Sequence, residues 1–292
     1  MFLTARSPAP WSAARKFLEF LRLCRVVNCL ALASLYVGSV TVFSVSPPEH
    51  TALRAVSWFL IAAFAYTYND IRDIEIDRSS HPTRPLPRGT ITNFGASVFA
   101  ASLGAGGALF SLAAFRDASV LCPALAIAAA YLYSCYVRRL NALFANLWTC
   151  ATVLLLLLST QSAPPTALAA LTDLSLGFIL LARELQKDVA DSYGDAPTRP
   201  LGYLVNHEAA GNIVYLGLLG AALFGFVLMG AVGHPNAPAL VALILTNLSI
   251  LSAAILVLFG ADRAGAQILL TKFALYCGTI LLLLGGQHLA RP

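Results

Sequence analysis

Ala151 to Thr160 reads ATVLLLLLST, and Ser249 to Gly260 reads SILSAAILVLFG. Neither run alternates polar with apolar residues, and neither carries the polar stripe that lets a helix lie half in water. Such runs recur through the 292-residue chain, which is 58% hydrophobic, 11% charged and has a mean hydropathy of +0.75. An average soluble domain is roughly 45–50% apolar and about 25% charged. The bulk of this chain therefore reads as a polytopic membrane protein and not as a water-facing globule. Backbone in lipid is satisfied only in helices or closed barrels, and apolar runs of about 20 residues without a period of two choose helices. The expected fold is an all-α bundle forming a single membrane domain over residues 1–292.

Working outward, nine spans are expected near 20–43, 51–68, 93–115, 118–137, 142–160, 165–186, 209–232, 237–260 and 266–288. SVSPPEH (44–50), STQSAPPT (159–166) and GHPNAP (233–238) mark tight turns on one side, because Pro and Gly do not continue a helix. The loops on the other side are longer and carry the charge. With nine spans that side receives fifteen of the 19 basic residues, and the positive-inside rule then puts it and the N-terminus in the cytoplasm. Residues 1–17 form a cytoplasmic N-terminal segment with no apolar core of signal-peptide type. The following WSAARKFLEFLRLCR pattern resembles an interfacial helix with basic and aromatic anchors. The six Cys and five His are dispersed, without the spacing of a zinc site, and the Cys read as small buried hydrophobes.

One stretch breaks this apolar pattern. Asn69 to Leu86 reads NDIRDIEIDRSSHPTRPL, with four acids inside nine residues. A second stretch, RELQKDVADSYGDAPTRPL at 183–201, matches it. Asp70, Asp73 and Asp77 follow D-x2-D-x3-D, Asp188, Asp191 and Asp195 follow the same rule, and TRPL trails each copy. The match points to an internal parallel pseudo-repeat with Asp-rich motifs at 69–86 and 183–201. The copies end the second and sixth spans, so both emerge on one membrane side. An inverted-repeat transporter would instead oppose its halves around a midplane site.

Spacing of i, i+3, i+7 sets each triplet on one helical face, provided the helix continues past the span. Glu184 joins the second face, whereas Glu75 points elsewhere and is expected in solvent. Eight of the chain's 14 acids lie in these two stretches, and like charges so close oppose folding unless something positive intervenes. Oxygen donors without His or Cys suit a hard ion such as Mg²⁺, which completes its shell with water and substrate phosphates. Neither copy has the Gly and Glu frame of a calcium-binding EF-hand. Arg72, Arg78, Arg84, Arg138, Arg139, Arg183, Lys187 and Arg199 interleave with the acids, and such cations clamp phosphate oxygens. Carboxylates, a metal and arginines at a membrane surface describe a diphosphate site.

These motifs resemble those of the UbiA superfamily of intramembrane prenyltransferases. NDIRDIEID is similar to the family's NDxxDxxxD, and RELQKDVADSYGD to its second Asp-rich motif. YSCYVRRLNALFAN (133–146) is similar to a further family segment, with Arg138-Arg139 where Lys-Arg is usual and Ala145 where Gly is usual. LRLCRVVNCL resembles the first-helix segment whose Asn, here Asn28, lies in the pocket. The resemblance implies nine helices around a central cavity under a cytoplasmic cap, with Mg²⁺ bridging both motifs to an isoprenyl diphosphate. It implies Asp70, Asp73, Asp188 and Asp191 as metal ligands with Asn69 beside them, and Asp77 and Asp195 orienting acceptor or water. Arg72, Arg84, Arg138, Arg139 and Lys187 become diphosphate partners, although Arg84 and Arg199 equally suit pinning the cap loop. Asn28 and Asn146 lie at lipid depth, where an unpaired amide is costly, so they face the substrate or one another's helices. Tyr66, Tyr68, Tyr131, Tyr133 and Tyr136 either line the cavity or anchor the interface.

The implied activity is transfer of an isoprenyl group from a prenyl diphosphate to an aromatic or lipid-like acceptor. The RELxKDxxDxxGD form looks closer to members acting on glycerol-phosphate ethers, chlorophyllide or homogentisate than to the 4-hydroxybenzoate branch. The alternative is a terpene cyclase of the same superfamily, which consumes a C15 or C20 donor without an acceptor. From a different class, a transporter or lipid-binding protein would bind the ion without releasing diphosphate. The expected partners are prenyl diphosphate, a hydrophobic acceptor and the bilayer, with no nucleic acid.

Overall fold

The computed structural model describes residues 13–43, 48–160, 167–195, 204, 206–233, 235–259 and 264–290. In chain order the helices are α1 (Ala13–Leu23), α2 (Val26–Phe43), α3 (Pro48–Arg72), α4 (Ile74–Ser80), α5 (Asn93–Ala114), α6 (Leu121–Cys135), α7 (Ala142–Leu158), α8 (Ala167–Asp195), α9 (Glu208–Val232), α10 (Ala237–Leu258) and α11 (Ala264–Ala290). Among the described residues the chain is all-helical. Short 3₁₀ turns at Ala118–Val120 and Val137–Arg139 flank α6.

Helix starts follow side-chain chemistry. Thr92 accepts from the Gly95 amide at 3.1 Å, Asn141 from Leu143 at 2.8 Å and Asn236 from Ala239 at 2.9 Å. Each caps an orphan amide that lipid would not satisfy. Five segments are long and apolar enough to cross a membrane: 93–114, 118–139, 208–232, 237–258 and 265–284. Helices α1 and α2 pass the same test together, bent by 54° at their junction. The protein is an integral membrane protein. Helix α7 is a shorter apolar helix, and α3 and α8 carry charged residues toward both ends.

Six helices close a ring: α2 packs on α3, α3 on α6, α6 on α7, α7 on α8, α8 on α11, and α11 on α2. Helix α5 lies outside on α3, α9 outside on α8, and α10 bridges α9 and α11. Close approach in lipid rests on small residues, since apolar burial alone gives helices no reason to leave the acyl chains. A Cβ added at Gly107 would lie 2.8 Å from Ile61 Cγ1, and one at Gly225 would collide with Ser175 Oγ. Polar contacts add to the α3–α5 seam, where Ser57 Oγ lies 2.6 Å from Ser111 Oγ and donates to the Gly107 carbonyl at 3.1 Å.

Length places the acidic motifs. Helices α3 and α8 have 25 and 29 residues, hence about 37 and 43 Å against a hydrocarbon thickness of about 30 Å. Each is longer than a crossing requires, and its C-terminal end carries aspartates, Asp70 on α3 and Asp188, Asp191 and Asp195 on α8. The second triplet stays on one helix, because α8 runs through Asp195. The first does not: α3 ends at Arg72 and α4 begins at Ile74, so the condition for one shared face, a helix that continues past the span, is not met there. Asp73, at the break, does not cap α4 with its carboxylate, which is engaged elsewhere. Amide bonds from Asp73 to the Asn69 carbonyl (3.0 Å) and from Asp77 to the Asp73 carbonyl (2.8 Å) carry the helical register across.

Helix α1 is strongly amphipathic and lies across the charged end, where Glu19 is buried. Glu19 pairs with Arg22 at 2.9 Å and with Arg88 at 2.8 Å, and accepts from Thr90 Oγ1 at 3.3 Å. It thereby ties α1 to the segment between α4 and α5. All six cysteines are free; Cys24, Cys29, Cys150 and Cys277 are buried and Cys122 and Cys135 half-buried.

Candidate active site

At the end of α3, Asp70, Asp73 and Asp77 are all buried, at 3% exposure each. Three buried carboxylates of one sign hold together only if cations meet them. Each is met by an arginine from a different part of the chain. Arg25 Nη2 lies 2.8 Å from Asp70 Oδ1, Arg84 Nη1 lies 2.7 Å from both Asp77 oxygens, and Arg138 pairs with Asp73. Arg84 also reaches within 3.8 Å of Asp70. Asn69 Nδ2 donates to Asp73 Oδ2 at 2.7 Å. Burial pushes the Asp77 carboxyl above its ordinary range, while the hydrogen bonds and charge of Arg84 pull the other way.

Arg25 occupies the α1–α2 junction with φ of 51°, a left-handed conformation that a non-glycine residue holds at a cost of roughly 1–3 kcal/mol. The bend turns its guanidinium onto Asp70 and over the Tyr66 ring, 5.1 Å from the centroid.

On α8, Asp188 is buried and accepts from Asn146 Nδ2 of α7 at 2.7 Å. One turn earlier Glu184 pairs with Arg183 and lies 3.5 Å from Lys187. Asp191 and Asp195 belong to the backbone of α8, but their side chains and Arg199 fall outside the described residues.

Inside the six-helix ring lies a cavity of about 310 Å³. Its polar end is formed by Arg25, Asn28, Asn69, Glu184, Lys187 and Lys272. Its far end is apolar, with Leu35, Trp58, Ile61, Leu156, Leu157 and Leu176. Tyr276 on the wall donates to Asn28 Oδ1 at 3.3 Å.

Of the residues singled out in the sequence, Asn28, Asn69 and Lys187 line this cavity. Asn146 supports Asp188 and does not face the cavity. Arg84 and Arg138 hold carboxylates. Arg72 and Arg139 are exposed and do not line the cavity. For Arg72 the reason is angular: two residues beyond Asp70 on a helix is about 200° of rotation, the opposite face. Tyr66 and Tyr133 line the cavity, Tyr68 stacks on Tyr131 with centroids 5.5 Å apart, and Tyr136 is exposed. Glu75 is exposed and pairs only locally, with Arg78 at 2.7 Å. Sequence reasoning passed over Arg25 and Lys272 as site residues. The signal was present, since a charge within an apolar span faces a cavity or a partner.

Among the described residues, three His, Cys, Asp or Glu donors do not converge on one point. The donor chemistry nevertheless fits a hard divalent ion. The ligands offered are all oxygens, and Asn69 Oδ1 is buried without a hydrogen-bond partner beside Asp70 and Asp73.

The sequence model of the UbiA prenyltransferase family matches residues 29–278. The digeranylgeranylglyceryl phosphate synthase of Methanococcus aeolicus is 27% identical over 239 residues, covering 80% of this chain and 84% of that protein. The digeranylgeranylglyceryl phosphate synthase of Methanoculleus marisnigri is 32% identical over 215 residues, covering 69% of this chain and 74% of that protein. A solved structure of a UbiA homologue from Archaeoglobus fulgidus, bound to GPP and Mg²⁺, superposes with a TM-score of 0.66 at 16% identity. That superposition covers 90% of this chain and 99% of the other.

Proposed function

The chain belongs to the UbiA prenyltransferase family and is an intramembrane prenyltransferase, and from that premise we propose which groups act and on what. The observation that carries the reading is the cavity: both acidic helices and several cations at one end, an apolar chamber at the other. A prenyl diphosphate has that polarity, an anionic head on a greasy tail. The head lies at the ends of α3 and α8 and the tail along Leu35, Trp58 and Leu176.

Asp70, Asp73, Asp188 and Asp191 would hold Mg²⁺, with Asn69 beside them, and the ion would supply charge neutralisation on the diphosphate oxygens. The donor's C1–O bond breaks and the diphosphate leaves with the electron pair. Lys187 lines the cavity where negative charge accumulates and stabilises it by position, while Arg84 and Arg138 brace Asp77 and Asp73 beside it. Apolar walls keep water from the allylic cation, and the Tyr66 and Tyr133 rings offer it π faces. The acceptor nucleophile then bonds to C1 and releases its proton. Asp77 and Asp195 serve the site indirectly, by fixing Arg84 and by orienting acceptor or water.

The acceptor we favour is lipid-like and bears glycerol phosphate, because the similar proteins of M. aeolicus and M. marisnigri are digeranylgeranylglyceryl phosphate synthases. We also read the chain as nine membrane spans in a parallel pseudo-repeat, with the N-terminus and the acidic cap in the cytoplasm. The packing of α5 outside α3 and of α9 outside α8 supports the repeat.

Membranes carrying the protein, given Mg²⁺ and C10, C15 or C20 prenyl diphosphates, should release diphosphate when a glycerol-phosphate ether lipid is added. Asp70→Ala and Asp188→Ala should each lower release by at least about 10²–10³-fold. A cyclic hydrocarbon formed without acceptor would replace this reading with the cyclase.

A further inference from the structure

Lys272 lies within the last apolar helix, α11, and its side chain lines the cavity beside Leu275 and Tyr276. An ammonium group at that depth is rare and marks a function or a partner. The neighbouring cations are committed within the protein. Arg25 is bound to Asp70 at 2.8 Å, Lys187 lies 3.5 Å from Glu184, and Arg183 pairs with the same Glu184. Lys272 has no carboxylate at ion-pair distance among the described residues, and its Nζ rests 5.6 Å from the Tyr276 ring centroid.

Its place on the ring sets it on a different wall from the first acidic motif. Arg138 and Asp73 sit at the α3–α6 side, whereas α11 packs between α2 and α8. There the bond from Tyr276 to Asn28 fixes a polar patch next to Lys272. One apolar chamber thus serves two cationic positions on different walls.

We propose that Lys272 holds the phosphate of the acceptor lipid and so makes the enzyme select an anionic acceptor over its uncharged counterpart. The proposal rests on the transferase reading above and deepens it. An ammonium is a strong point charge for a phosphate monoester, and the water-poor cavity strengthens the attraction.

Trp58 and Trp148 line the cavity, so tryptophan fluorescence reports binding without turnover. Full-length protein is titrated with an alkylglycerol phosphate and with the matching alkylglycerol, in the wild type and in Lys272→Met and Lys272→Arg. The wild type should bind the phosphate form about tenfold more tightly. Lys272→Met should reduce that preference to less than about threefold, and Lys272→Arg should retain most of it. In turnover, Lys272→Met should raise the acceptor KM about tenfold while the donor KM moves less than about twofold. Preference for phosphate surviving in Lys272→Met would overturn the proposal, as would a rise confined to the donor KM. A wild type that discriminates in binding but transfers to neither lipid would sink the transferase reading and leave the Lys272 assignment standing. Loss of donor binding together with the preference marks a collapsed cavity and overturns the specific role, unless Lys272→Arg restores the preference alone.

Discussion

The two Asp-rich stretches share a spacing and, among the described residues, differ in how their aspartates are met. In the first, the helix breaks at Asp73 and three carboxylates are each met by a guanidinium brought from elsewhere: Arg25, Arg84 and Arg138. In the second, α8 runs unbroken, Asp188 is met by the amide of Asn146, and the local cations Arg183 and Lys187 turn to Glu184. Matching spacing has been given two electrostatic settings. The first is a set of ion pairs that hold loops and helix ends in place. The second exposes its cations to the cavity and supports its aspartate by hydrogen bonding.

Removing the partner on each side sharpens that contrast most. Arg138→Met should strand a buried Asp73 charge and lower stability by about 3 kcal/mol. Asn146→Leu removes one donor from Asp188 and should cost about 1–2 kcal/mol. Denaturation in detergent with chelator present measures both, and equal losses would break the comparison.

A smaller effect tests the backbone beneath the first motif. At φ of 51°, Arg25→Gly and Arg25→Ala lose the same ion pair, but glycine tolerates the conformation. The glycine variant should be the more stable by about 1 kcal/mol. Equal stability of the two would mean that the bend relaxes once Asp70 is released.

The smallest expected effect is on pH dependence. Burial raises the folded pKa of Asp77, so the folded chain binds this proton more readily than the unfolded chain. The associated contribution to stability grows as pH falls through the folded value and is lost as pH rises through it. Relative to Asp77→Asn, wild-type Tm should therefore gain between about pH 7 and pH 4. A relative loss over that range would show Arg84 outweighing burial.

Membrane helices and clustered carboxylates met by cations were legible in the sequence because both depend on composition and spacing. Apolar runs dictate helices in lipid, and matched triplets of Asp demand a counter-charge whatever the fold. The pairing of Arg25 with Asp70 was not legible. LRLCRVV contains neither Gly nor Pro, so nothing local announces a left-handed residue, and the carboxylate that the bend presents Arg25 to lies 45 residues away. The placement of Arg72 was hidden for a different reason. Proximity along the chain to Asp70 suggested proximity in space, and helical rotation sends the two to opposite faces. The tyrosines were equally opaque, since alternating positions such as Tyr66 and Tyr68 divide between cavity and outer surface.

Glu19 gives the N-terminal helix a mechanical meaning. It grips Arg88 and Thr90 from inside a surface helix, and the segment it grips also carries Arg84, the arginine that braces Asp77 and approaches Asp70. The amphipathic helix is thus a buttress and not merely a float on the lipid. A load applied to it, whether by shortening the chain or by changing the headgroups beneath it, is transmitted through a buried carboxylate to the arginine that braces the first acidic motif.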